Sequence, residues 1–262
     1  MNYQTISVEK KDGVLTIALN RPDVNNALNT PLVTELHHAF TTVALEDSIR
    51  AVLLKGNGKV FCAGGDITMM QKSLKNTHQQ NFEWARQFSI LLEKINELPK
   101  PVMAVAHGAV FGGGLGLLSV CDYVLALEET LFSFSEVRIG LIPACIAPFV
   151  MVKIGESQTR ALVLSAERFD SQKALRIGLI HRIEKGGEAL EQATEKLIKD
   201  LISSSPQALR IAKKFIHELR EKNCAEKHIY AAQTLADLQV TPEAQEGLTA
   251  FLEKRSPRWN KN

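Results

Sequence analysis

Residues 102–119 read Val102-Met103-Ala104-Val105-Ala106-His107-Gly108-Ala109-Val110-Phe111-Gly112-Gly113-Gly114-Leu115-Gly116-Leu117-Leu118-Ser119. The first five are apolar, the pattern of a short buried strand. Five glycines follow in the nine residues from Gly108 to Gly116. That density is costly in chain entropy unless backbone must approach a ligand or another helix closely. The run passes directly into Leu117-Leu118-Ser119-Val120, so it predicts the N-terminus of a buried helix with free N–H groups at its start. A strand, a glycine turn and a buried helix in that order belong to an α/β fold. Two rival uses of glycine fail on spacing. From Gly112 the run does not fit G-x-G-x-x-G, and it lies far from the first βαβ unit where a dinucleotide fingerprint belongs. No Gly-Lys-Ser/Thr follows, which excludes a phosphate loop. Tight helix packing also accounts for the glycines if the stretch is taken alone.

Outward from this stretch, β-branched runs alternate with helical ones as far as about residue 195. Residues 5–9 and 14–19 flank Lys10-Lys11-Asp12-Gly13, a hairpin because Asp-Gly favours turns with φ > 0. Thr30-Pro31 opens a helix with Thr30 as N-cap, and Leu32, Leu36, Phe40 and Val43 continue on one face. Residues 52–55 and 123–126 give further strands, and residues 84–98 a helix that Lys100-Pro101 ends. Strands alternating with helices imply largely parallel pairing. Beyond residue 195 no strand is evident: residues 206–220, 225–238 and 242–254 read as amphipathic helices, the last capped by Thr241 before Pro242. The chain therefore divides into an α/β core over 1–195 and a helical region over 196–262. The helical region must cover its apolar faces on the core or on another subunit.

The composition narrows the partners. A 45% hydrophobic and 23% charged chain of 262 residues is globular rather than disordered. Its formal charge of +2 gives no sign of a nucleic-acid partner. No apolar stretch approaches the ~20 residues of a membrane span, and the opening residues lack a signal-peptide core. Cys62, Cys121, Cys145 and Cys224 form no CxxC pair, so neither a zinc site nor a disulfide framework is expected. They read as small buried hydrophobes in a reducing, cytoplasmic compartment.

Two more stretches carry chemistry. Val60-Phe61-Cys62-Ala63-Gly64-Gly65-Asp66-Ile67 follows a strand, and its glycines suit a turn with outward N–H groups. With the 108–116 run it could supply a two-donor oxyanion site. Phe132-Ser133-Phe134-Ser135-Glu136-Val137-Arg138-Ile139-Gly140-Leu141-Ile142-Pro143 sets a glutamate among apolar residues. Desolvation there raises a carboxyl pKa toward neutrality, where it can exchange protons. The rival reading is an ion pair between Glu136 and Arg138.

Together with Arg21-Pro22-Asp23-Val24-Asn25-Asn26-Ala27-Leu28-Asn29, Cys121-Asp122 and the closing Glu246-Gly247-Leu248-Thr249-Ala250-Phe251-Leu252-Glu253-Lys254-Arg255, these stretches resemble the enoyl-CoA hydratase/isomerase (crotonase) family. They do so in order and spacing over essentially the whole chain. The resemblance implies a spiral of ββα units, a C-terminal helical trimerisation region and an acyl-CoA thioester substrate. It implies no cofactor and no metal, since coenzyme A is part of the substrate. Gly65 and Gly113 match the two oxyanion N–H positions, and Glu136 the glutamate that exchanges a proton with substrate carbon. Asn26-Ala27-Leu28, Ala63, Asp66 and Ile67 match backbone around the CoA moiety.

One position departs: Gly116 stands where hydratases of the family carry their first glutamate. A single glutamate is the pattern of Δ3,Δ2-enoyl-CoA isomerases. It is also compatible with a branch resembling 3-methylglutaconyl-CoA and γ-carboxygeranoyl-CoA hydratases, which the runs from Leu131 to Ile142 and from Ser165 to Asp170 are most like. The expectation is a hydratase of α,β-unsaturated acyl-CoA, with an isomerase as the alternative, assembled as a homotrimer or a dimer of trimers. A non-catalytic member is disfavoured because both donor loops and Glu136 persist together. His107, Asp66, Asp122, Trp84 and Trp259 are read as structural. Arg138 is expected to pair with Glu136 or another acid rather than with substrate.

Overall fold

The computed structural model describes residues 3–260. Strands β1 (Ile6–Lys11) and β2 (Val14–Leu19) form an antiparallel hairpin through Asp12 and Gly13, with φ of 48° and 78°. The first strand extends past the expected residue 9 because Lys10 and Lys11 pair with Leu15 and Val14. Helix α1 (Thr30–Leu45) buries Leu32, Leu36, Phe40 and Val43 as its spacing predicts. Its cap is not Thr30. Asn29 stands one residue earlier in extended backbone, and its side chain accepts the Leu32 N–H at 3.0 Å.

The chain continues through β3 (Ala51–Gly56), α2 (Ile67–Ser73), α3 (His78–Asn96), β4 (Val102–Ala106), β5 (Ala109–Phe111), α4 (Gly113–Ser119), β6 (Tyr123–Leu127) and β7 (Leu131–Ser133). A 3-10 turn (Glu136–Ile139) leads to α5 (Ala147–Ser165), β8 (Phe169–Asp170), α6 (Ser171–Arg176), β9 (Arg182–Glu184) and α7 (Gly187–Ser203). Three helices close it: α8 (Pro206–Leu219), α9 (Cys224–Gln239) and α10 (Pro242–Leu252), the last capped by Thr241. Among the described residues, no helix is long and apolar enough to cross a membrane.

The strands form two sheets, a six-stranded one in the order β1-β2-β3-β4-β6-β9 and a three-stranded one in the order β5-β7-β8. All pairs except β1–β2 and β7–β8 are parallel. β4 and β5 are consecutive yet lie in different sheets. The chain passes between them at Gly108, where φ is 64° and a Cβ would meet the Lys59 carbonyl oxygen at 2.1 Å. β6 and β7 repeat the step, and a helix follows each pair, so the core is built of strand–strand–helix units. Strands β5, β7, β8 and β9 span only two or three residues. Alternation cannot register over so short a run, which is why sequence periodicity leaves them out.

Both faces of the large sheet are covered, so its central strands read as continuous apolar runs. On β3, Val52 and Leu54 enter the main core with α1 and α3, while Ala51 and Leu53 face Leu197 and Leu201 of α7. Residue 195, where the composition shifts, lies inside α7, so that shift does not coincide with an element boundary. No residue of α8 or α9 is buried, and Ala250 alone is buried in α10. Lys213 ties α8 to the core by donating to Asp122 at 2.7 Å, and Arg50 donates to the carbonyls of Ile202 and Ser204. Cys62 and Cys121 are buried, whereas Cys145 is half-buried and Cys224 exposed.

The loop between β2 and α1 depends on one side chain. Asn26 is fully buried with φ 54°. Its Oδ1 accepts the Arg21 N–H, and its Nδ2 donates to the carbonyls of Asn57 and Val60 at 2.8 and 2.9 Å. Asn26→Ala strands these buried partners, and each costs ~1–3 kcal/mol when unmet. Urea unfolding of the variant should show a loss on the order of 2–4 kcal/mol; an unchanged midpoint would mean that the loop does not depend on the amide.

Candidate active site

The two glycine loops are stitched side by side. Cys62 N–H donates to Ala109 O at 3.2 Å and Phe111 N–H to Cys62 O at 2.9 Å, continuing the small sheet across the loop. The Asn26 loop lies on the other flank: Leu28 N–H donates to Gly64 O and Asp66 N–H to Leu28 O. Gly65 and Gly113 are thereby held in one cleft of about 520 Å³. Gly113 opens α4, and Gly65 precedes Asp66, the N-cap of α2. Among the described residues neither N–H meets an acceptor. Two unspent donors on neighbouring loops are the arrangement that stabilises negative charge on a carbonyl oxygen.

Glu136 enters the same cleft from the 3-10 turn. It comes so close to the glycine run that a Cβ on Gly112 would lie 2.9 Å from its Oε1, and Gly112 also has φ 49°. A side chain at Gly112 is excluded on both counts. Oε2 is buried and has no hydrogen-bond partner among the described residues. Burial pushes the carboxyl pKa up from its ordinary value. The expected pairing with Arg138 is absent. That guanidinium turns away to cap α5, donating to Ala166 O at 3.1 and 3.3 Å, because the helix end offers unspent carbonyls.

The space beside Gly116 is filled. A Cβ there would sit 2.3 Å from Ile146 Cγ2 and 3.4 Å from Leu92 Cδ1. Ile146 is itself buried. A larger residue at this position needs the Ile146 segment to move.

Of the residues expected around a CoA thioester, Leu28, Gly65, Gly113 and Glu136 line the cleft. Asn26, Ala27, Ala63, Asp66 and Ile67 do not. Asn26 braces its loop, and Ala27 O accepts from Arg21. Ala63 N–H is spent on Asn25 O. Asp66 caps α2 through the Met69 N–H and pairs with Arg21 at 2.8 Å. Ile67 is 74% exposed. His107 is held by Gly58 O, and Asp122 accepts the Val102 N–H. Trp259 donates to Ser203 O. Trp84, read as structural, does line the cleft, stacked on Phe88 at 5.8 Å. The α2 and α3 faces carrying Met69, Lys72, Gln80 and Asn81 were not singled out from sequence. From sequence, the helix of α3 begins at residue 84 and none is expected over 67–73, whereas α2 spans Ile67–Ser73 and α3 starts at His78. Neither stretch carries an apolar stripe long enough to register as helical.

The state of Glu136 makes a prediction about stability. Its folded pKa lies above the unfolded one, so the native state binds the extra proton and wild-type stability falls as pH rises through that window. Glu136→Gln removes this penalty. The variant should gain on wild type as the pH rises from the ordinary glutamate range, about pH 4. A stability difference flat above that pH, in denaturant titrations, would contradict a desolvated carboxylate.

The geometry can be set beside known proteins. Residues 9–262 match the family model described as Enoyl-CoA hydratase/isomerase. The solved structure of Pseudomonas aeruginosa AtuE is 37% identical, with a TM-score of 0.95 over 98% of this chain and 100% of that one. The enoyl-CoA hydratase AKT6-1 of Alternaria alternata is 31% identical over 96% of this chain and 83% of its own length. A trans-2-decenoyl-[acyl-carrier-protein] isomerase of Streptococcus mutans is 28% identical over 99% of both. The two-sheet α/β architecture is the crotonase-like fold that the sequence led one to expect. The chain belongs to the enoyl-CoA hydratase/isomerase family.

Proposed function

We propose that the protein adds water across an α,β-unsaturated acyl-CoA thioester, with Glu136 as its sole acid–base group. The observation that carries this reading is the convergence of the Gly65 and Gly113 N–H groups and the Glu136 carboxyl on one cleft. The two N–H groups donate to the thioester oxygen and stabilise its growing negative charge, which makes the β-carbon electrophilic. Ionised Glu136 takes a proton from water as its oxygen bonds to the β-carbon. The same carboxyl then delivers that proton to the α-carbon, so one water is consumed and Glu136 returns to its starting state. A raised pKa brings the carboxyl nearer the protonation balance that both half-steps need. A glutaconyl-type acyl chain is the finer proposal, supported by the resemblance over the stretches from Leu131 to Ile142 and from Ser165 to Asp170.

The packing of Ile146 against Gly116 favours a second reading. With no room for another carboxylate, a single glutamate suffices to move a proton between α- and γ-carbons, which is a double-bond isomerisation without water. Purified protein offered 2-enoyl-CoA, 3-enoyl-CoA and methylglutaconyl-CoA separates the two readings by the sign of the change in conjugated absorbance, a loss on hydration of a 2-enoyl-CoA and a gain on isomerisation of a 3-enoyl-CoA. The hydratase reading requires loss with a 2-enoyl substrate. Glu136→Gln should lower the rate on the identified substrate by about 10²–10⁴-fold; a wild-type rate would place the chemistry on another group.

Assembly as a homotrimer or dimer of trimers, in the cytoplasm, is part of the same proposal. It is supported by apolar residues left exposed on the last helices, including Ile229 at 73%, Phe251 at 81% and Leu252 at 78%. Phe251→Asp paired with Leu252→Asp should dissociate the oligomer in analytical ultracentrifugation while leaving helix content intact. An unchanged sedimentation coefficient would remove these residues from the interface.

A further inference from the structure

A water held by a single carboxyl swings freely about that bond, and a second contact fixes its direction of attack. Gly116 offers no such contact, since its flank is filled by Ile146. Three buried side-chain polar atoms lack a partner among the described residues: Arg50 Nε, Trp84 Nε1 and Glu136 Oε2. Arg50 does not line the cleft, and the rest of its guanidinium donates to the carbonyls of Ile202, Ser204 and Trp259. Trp84 and Glu136 both line it. One of these two orphans is a donor and the other an acceptor. A buried indole N–H ordinarily finds an acceptor; one left unmet in a ligand cleft is matched by what the cleft receives.

Trp84 stands toward the Glu136 end of the cleft. Helix α3 runs beside α4 in the same direction: the Phe88 ring lies 3.2 Å from a Cβ on Gly113, and Leu92 Cδ1 lies 3.4 Å from a Cβ on Gly116. Trp84 is one turn earlier on the same face of α3, about 6 Å from Phe88 along the axis at 1.5 Å per residue. It therefore lies toward the N-terminal end of α4, where Glu136 Oε1 is 2.9 Å from a Cβ on Gly112. Its ring stacks on Phe88 with centroids 5.8 Å apart and planes at 22°, which fixes the indole. The Cys145 thiol, also in the lining, is committed to the Ala85 carbonyl at 3.5 Å and offers no competing donor.

We infer that the Trp84 indole N–H holds the oxygen that is added to the β-carbon, donating to the water before addition and to the product hydroxyl after it. The inference rests on the hydratase reading and deepens it by naming the second group that orients the water. One water hydrogen points to Glu136 and one lone pair accepts the indole N–H. The other lone pair forms the bond to the β-carbon. Glu136 takes that hydrogen as a proton and returns it to the α-carbon, so the indole gains and loses nothing. In the reverse direction the N–H supports the departing hydroxyl as its bond to carbon breaks. A double-bond isomerisation puts no oxygen on the β-carbon and has no use for this donor. A purely apolar role, as a wall packed on Phe88, uses the faces of the indole and not its N–H.

The test compares ligands that differ by that oxygen alone. Calorimetry gives Kd for butyryl-CoA and for each epimer of 3-hydroxybutyryl-CoA on three proteins: wild type, Trp84→Phe, and a chain with 3-benzothienylalanine in place of Trp84. The benzothienyl group keeps the two-ring shape and replaces the N–H by sulfur. One epimer should bind wild type more tightly than butyryl-CoA does. Both replacements should shrink that preference by about threefold to tenfold, the worth of one neutral hydrogen bond. Hydration of crotonyl-CoA should slow by at least a similar factor. A wall role weakens all three ligands together, so ratios unchanged in both replacements overturn the inference and leave the hydratase reading standing. A loss in Trp84→Phe that the benzothienyl protein does not share overturns it too and assigns Trp84 to shape. So does wild type that prefers neither epimer. Wild type that binds none of these ligands, or hydrates neither crotonyl-CoA nor methylglutaconyl-CoA, overturns the hydratase reading beneath, and the inference with it.

Discussion

The register in which residues 62–65 run beside Ala109–Phe111 is the constraint on which the site depends. Two backbone hydrogen bonds at Cys62 set it. The consequence is that two chain segments about fifty residues apart present their glycines to the same volume, with Gly64 and Gly112 nearly touching. A slip of one residue in such a ladder turns every group to the opposite side. Gly65 N–H and Gly113 N–H then no longer share a cleft. The buried Asn26 amide holds the outer flank of this arrangement, and the passage of β4 into β5 at Gly108 holds the inner one. The geometry of the proposed site is therefore a property of backbone pairing, to which Glu136 adds the carboxyl group.

That dependence makes the site costly to the fold. Among the described residues two cleft-lining N–H groups and one buried carboxylate oxygen lack partners, and a buried, unmet polar group such as Glu136 Oε2 costs ~1–3 kcal/mol. A fold selected for stability alone would pair Glu136 with Arg138, two residues away, but Arg138 is committed to the end of α5. The burial of Ile146 against Gly116 keeps that part of the cleft wall apolar. Low polarity strengthens the pull of the two N–H groups on a carbonyl oxygen and keeps the Glu136 carboxyl from its ordinary pKa. Unsatisfied groups and an apolar wall beside them are two sides of one arrangement.

Much of this was legible in the sequence because the decisive features are local. The Asp12-Gly13 hairpin, the α1 face from Leu32 to Val43 and the Thr241 cap all follow from neighbours within four residues. The glycine density of 108–116 announced a close backbone approach, and Glu136 stood out as an acid among apolar residues. Features that arise from distant pairing were not visible. The short strands β5 and β7 exist because the second sheet recruits them. Arg138 finds its partner at Ala166, a distance in sequence that no local pattern encodes. Asn26 and Asp66 do not line the cleft: the Asn26 amide braces its own loop, and Asp66 caps α2, in line with its structural reading.

The central claim is that two backbone donors and one carboxylate form a complete proton-transfer site on an acyl-CoA. Exchange of α-hydrogens of a saturated acyl-CoA in heavy water, followed by proton NMR, tests it without assuming hydration or isomerisation. The account predicts that the native protein catalyses washout of the α-proton signal and that Glu136→Gln, bound to the same ligand, leaves the signal at the uncatalysed rate. Equal washout by both proteins would contradict it.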